Sequence, residues 1–134
     1  MAGDHELYGL LLDMAVRERN EVALKKYLEM AEETAKRCEH PLFQAIAARA
    51  RGVSHRLAGD SDEALRHLEE AMTGFRQLDT RWQIGRTLVE LAELEDHRDN
   101  GSSAQELMAE ALAIFEELGA KPDASKVLRK LAEI

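Results

Sequence analysis

The sequence predicts an all-α fold, a solenoid in which helix pairs stack one on the next, and three observations carry that prediction. Residues 60 to 79, DSDEALRHLEEAMTGFRQLD, return in pattern forty positions later at 100 to 119, where Ala71, Met72, Phe75 and Leu78 become Ala111, Leu112, Phe115 and Leu118. A fainter copy at the same offset puts Ala31, Ala35 and Cys38 in those places, so one unit is written three times. Apolar residues recur at steps of three and four along the chain, and no alternating strand pattern interrupts them. A unit of this length, holding two amphipathic helices, can bury its apolar faces only against its neighbours.

Tyr8, Leu11, Leu12 and Ala15 mark the first helix within residues 5 to 18. Arg19 and Asn20 break it, and Val22, Ala23, Tyr27, Leu28, Ala31, Ala35 and Cys38 carry the second up to His40. Pro41 suits the first turn of the third, where its missing N–H costs nothing. Leu42, Ile46, Ala47, Ala50, Val53 and Leu57 then run to Gly59, placed for a left-handed helix end. Asp60 with Glu63 opens the fourth helix as a variant capping box, and that helix ends near Leu78. Thr80 with Gln83 repeats the signal for the fifth, which holds Trp82, Leu88, Leu91, Ala92 and Leu94 and stops at the turn-rich run Asp99, Asn100, Gly101. Ser102 and Ser103 are expected to cap the sixth, which reaches Gly119 through Met108, Ala111, Leu112, Phe115 and Leu118. Pro122 opens the seventh, whose stripe of Val127, Leu128, Leu131 and Ile134 faces inward while Lys126, Arg129, Lys130 and Glu133 stay wet. The chain thus reads as one domain, 1–134, of three units at about 5–40, 41–80 and 81–120, closed by a capping helix at 122–134.

Composition narrows the function. The 134 residues are 45% hydrophobic but only 4% aromatic, which suits close helix packing through small side chains. A formal charge of −8 argues against nucleic-acid binding, which needs a clustered basic face. No apolar run approaches the length of a membrane span, the N-terminus lacks the layout of a signal peptide, and the lone Cys38 is expected as a small buried residue. These features predict a cytoplasmic protein that does not engage membranes.

Gly52, Gly59, Ala64, Leu68 and Ala71 have the spacing of small and large positions in the tetratricopeptide repeat (TPR), and Ala92, Ala104, Met108 and Ala111 repeat most of it. The chain resembles that family over nearly its whole length, with a forty-residue unit in place of thirty-four, Ala48 where the family favours tryptophan and His55 where it favours tyrosine. The resemblance implies a right-handed α-solenoid of antiparallel pairs that binds a peptide or protein in a concave groove, without chemistry or cofactors of its own. FRQLDTRWQIGRTLVELAEL and ALAIFEELGAKPDASKVL are similar to the extended repeats of bacterial signalling ATPases and transcriptional regulators. That similarity implies the alternative role of a sensory or regulatory segment in a larger protein.

No pattern of residues points to an enzyme. HExxH, Cys-x-x-Cys and a helical two-histidine turn are all missing, so no metal is expected. His5 and His40 sit near helix starts, His67 and His97 on polar stretches and His55 at a packing position. Glu32/Glu33, Glu69/Glu70 and Glu116/Glu117 are adjacent pairs whose side chains diverge by about 100° on a helix, which suits a solvated face and not an acid–base dyad. Met14, Met30, Met72 and Met108 read as core filler.

Two surfaces remain. In TPR arrays the first helix of each pair lines the groove, which would gather Arg49, Arg56, Arg86, Glu90, Glu93, Lys126 and Arg129 there. A basic stripe in an acidic protein suits an acidic peptide, because arginine forks onto carboxylates. The asparagines that some TPR proteins use to clamp chaperone tails have no counterpart, since Asn20 and Asn100 fall in turns. The second surface is an extra apolar row on the first helix, Leu7, Leu10 and Met14, expected to be covered by a second copy of the chain in a homodimer or by a preceding repeat.

Overall fold

The structure, a computed structural model, describes residues 4–37 and 39–134, with side chains from Leu7 onward. Cys38 and the side chain of His5 lie outside the described residues. Seven helices account for nearly all of it: α1 (Asp4–Glu18), α2 (Glu21–Arg37), α3 (Pro41–Leu57), α4 (Ser61–Gln77), α5 (Arg81–His97), α6 (Gly101–Leu118) and α7 (Lys121–Glu133). The described residues contain no strand, and none of these helices is long and apolar enough to cross a membrane.

The forty-residue repeat resolves into two steps of twenty. Helices α3, α5 and α7 begin at Pro41, Arg81 and Lys121, and α2, α4 and α6 at Glu21, Ser61 and Gly101. Before five of these starts the chain passes through a left-handed residue: Arg19 (φ 54°), Gly59 (87°), Asp79 (53°), Asp99 (61°) and Gly119 (70°). That conformation turns the backbone so that the next N–H reaches back over the helix end. Asn20, Asp60, Asn100 and Ala120 donate to the carbonyls of Ala15, His55, Glu95 and Phe115 at 3.1, 2.9, 2.8 and 2.8 Å. Glycine takes the left-handed position at no steric cost and aspartate tolerates it through its short polar side chain. Arg19 also donates a guanidinium hydrogen bond to the Val16 carbonyl at the end of its own helix.

Caps fall on the same step of twenty, which corrects two expected boundaries. The second helix stops at Arg37, and His40 belongs to the next one, where its Nδ1 accepts from the Phe43 N–H at 3.2 Å. The sixth helix starts at Gly101, with Ser102 and Ser103 inside its first turn, because Asp99 makes the left-handed turn and Asn100 takes the capping position. Asn100 spends its side-chain amide on Glu95, 2.7 Å away. As expected, Asp60 caps α4, accepting from the Glu63 N–H at 3.3 Å.

The helices form two compact units, Met1–Leu78 and Asp79–Ile134. In the first, α3 is central and packs on α1, α2 and α4. Its buried Ala45, Ala47, Ala48, Ala50 and Gly52 let the neighbouring backbones come close. At Gly52 an added Cβ would lie 2.7 Å from Leu68 Cγ and 3.1 Å from the Ala64 carbonyl oxygen. At Gly9 of α1 it would meet nothing closer than 3.7 Å. Alanine gains about 1 kcal/mol over glycine inside a helix, whereas overpacking costs about 1–3 kcal/mol. Gly9→Ala is therefore expected to raise the urea midpoint and Gly52→Ala to lower it, and a rise in both would show that α3 and α4 are not in close contact.

In the second unit α6 packs on both α5 and α7. Ile84, Leu88, Ala92 and Leu94 are buried on α5, and Ala104, Met108, Ala111, Ile114 and Phe115 on α6. Two side-chain bridges add α7 to α5: Trp82 Nε1 donates to Asp123 at 3.0 Å, and Lys130 lies 3.7 Å from Glu93. Of the stripe expected on α7, Val127 is buried, Leu131 and Ile134 are half-buried, and Leu128 is exposed. Leu78 and Leu118, aligned with the repeat core by sequence, are also exposed, because each lies beyond the last residue of α4 or at the end of α6. Met72 and Met108 fill the core as expected, while Met14 and Met30 stand in solvent.

Candidate functional site

The seven residues expected in a groove divide sharply by burial. On α3, Arg49 is only 1% exposed. Its guanidinium lies 3.4 Å from Asp13 of α1 and 4.9 Å from the centre of the Phe75 ring of α4, so one buried cation joins three helices. Arg56, two turns further on, is buried as well.

In the second unit Arg86 is buried with its guanidinium 5.5 Å from the Trp82 ring centre. Glu90 is 1% exposed. Glu93 is half-buried beside Lys130, whereas Lys126 and Arg129 on α7 are exposed. Hence Arg49, Arg56 and Arg86 lie inside their units, and among the seven only Lys126 and Arg129 offer open charge. A charged group is kept in a protein interior only where partners replace its hydration, and Asp13, Phe75 and Trp82 are such partners.

The apolar row of α1 is on the surface. Leu7, Leu10 and Met14 are 54%, 60% and 48% exposed, while Leu12 and Ala15 of the other stripe are buried.

A third arrangement was not anticipated. His67, expected on a polar face, is buried, and its ring stacks on that of His55 with centroids 5.2 Å apart and planes 6° from parallel. Burial lowers the His67 pKa below its ordinary value against the opposing pull of Glu70, and the nearby cations Arg51 and Arg66 and the His55 ring lower it further. Glu63, one turn before His67, lies below the ordinary carboxylate range because Arg66 hydrogen-bonds it. The i, i+4 spacing of Glu63 and His67 was readable in the sequence. The contribution of His55 needed the fold, which turns the chain at Gly59 and lays the end of α3 beside the start of α4.

A scan against models of known protein families finds none that matches the chain, and a search of curated proteins finds no match either.

Proposed function

We propose that the chain is a non-catalytic protein-interaction module, a TPR-like solenoid of antiparallel helix pairs, and that its contact surface is the apolar row of α1. Support for the repeat reading comes from helix starts and caps that recur every twenty residues and from close approach at Gly52 and Gly85. The observation that carries the binding role is the exposure of Leu7, Leu10 and Met14 in one row, since contiguous exposed apolar side chains mark interaction sites.

The spacing of that row supports a second copy of the chain as its occupant. Steps of three and then four residues are those of the seam along which one helix packs on another. The row is nearly symmetric about Leu10, so a two-fold axis there sets Leu10 against Leu10 and Leu7 against Met14 of a second copy. Such a contact is closed and self-complementary.

Size-exclusion chromatography with light scattering tests this. Wild type is expected to dimerise with rising concentration in the micromolar range, and Leu10→Glu to stay monomeric with unchanged helicity. A wild type that remains monomeric at high micromolar concentration removes the dimer, and a dimer untouched by the substitution moves it off α1.

A further inference from the structure

His55, Glu63 and His67 each bring one donor atom to within 4.8 Å of the other two. One pair, Glu63 Oε2 and His67 Nε2, is 3.6 Å apart. Two ligands on a tetrahedral ion with bonds of about 2.0–2.1 Å stand roughly 3.4 Å from each other, so this edge of a coordination shell already exists. His55 is half-buried and so remains partly open to solvent.

The groups around the cluster fit the same reading. Arg66 Nη2 lies 2.6 Å from Glu63 Oε2 and 3.3 Å from His67 Nε2, so one positive group already bridges the two atoms. Arginine only donates hydrogen bonds, which makes Nε2 of His67 the acceptor and puts its proton on Nδ1. That Nδ1 faces Glu70 Oε2 at 3.4 Å. Asp60 Oδ2 stands 3.9 Å from Nδ1 of His55, beyond hydrogen-bond distance. Metal-bound histidines characteristically give their second N–H to a carboxylate. Glu70 stands in that position for His67.

We propose that His55, Glu63 and His67 form a binding site for one divalent transition-metal ion of the zinc class, with Glu70 orienting the imidazole of His67. Two imidazoles and a carboxylate suit Zn²⁺, Co²⁺ and Ni²⁺, whereas Mg²⁺ and Ca²⁺ prefer oxygen-only shells. Three protein ligands leave the fourth position to water. Arg66 holds the site in the metal-free protein and must withdraw, which its exposed side chain permits. This inference stands apart from the interaction reading and does not rest on it.

Titration of the full chain with Co²⁺, followed by its visible d–d bands, and with Zn²⁺ by calorimetry tests it. One ion per chain is expected, with the absorption of a four-coordinate site. His55→Ala and Glu63→Gln, both at partly exposed positions, are expected to weaken binding by at least about tenfold while circular dichroism stays unchanged. Arg66→Gln removes the competing cation and is expected to tighten binding several-fold, an outcome that packing of the two rings does not produce. His97→Ala is expected to bind as wild type does. Failure of both wild type and Arg66→Gln to bind a stoichiometric ion overturns the site, and so does affinity that is unchanged in both His55→Ala and Glu63→Gln.

Discussion

Replacing Phe115 by alanine is expected to destabilise the second unit by about 3–5 kcal/mol, the cost of removing a buried aromatic side chain and leaving a cavity. Phe115 is 1% exposed, and its ring edge fits against the bare backbone of Gly85, where an added Cβ would come within 2.8 Å. Glycine at 85 leaves the space that the ring occupies. Domains are stable by about 5–15 kcal/mol in all, and the change therefore removes a large share of what holds α5 and α6 together. Urea denaturation checks the midpoint, and amide exchange in α5 and α6 localises the loss. Glu116→Ala, one residue on and exposed, is the control and is expected within about 0.5 kcal/mol of wild type. An unchanged midpoint for Phe115→Ala would contradict the packing of α6 on α5.

The helical class and most helix ends were legible because they rest on local rules. Apolar period, Pro41, Gly59 and the Asp60 cap each act within a few residues of themselves. The left-handed turns at Arg19 and Asp79 were less visible, because no glycine announces them and the twenty-residue step appears only once all the turns are seen together. Side-chain environment was least legible. Arg49 in AIAARARG reads as a solvated charge, yet alanines and Gly52 around it bring three helices close enough to enclose it, and its partners Asp13 and Phe75 lie 36 and 26 residues away in sequence. The same limit hid His67, whose stacking partner belongs to the preceding helix. The apolar row of α1 was legible, since a second apolar side on one helix is itself a local pattern.

Arg49 also allows a direct choice between a groove residue and a core residue. Removing one member of a buried ion pair costs about 3–5 kcal/mol, because the other charge is left desolvated. Here Asp13 is only partly buried and keeps Arg17 at 3.5 Å, so its desolvation is softened. Arg49→Ala still empties a large volume beside Phe75, and its expected cost is about 3 kcal/mol, at the low end of that range. Arg49→Met refills most of the volume without the charge and is expected to recover a substantial part, since a well-packed apolar residue often replaces a buried ion at little cost. Arg129→Ala on the exposed face of α7 is expected to change stability by no more than about 0.5 kcal/mol. Thermal and urea unfolding of the three variants separate the readings. The order Ala worst, Met intermediate and Arg129→Ala silent assigns Arg49 to the junction of α1, α3 and α4. Losses of about 0.5 kcal/mol or less for both Arg49 variants would return its guanidinium to solvent and to a ligand-facing role.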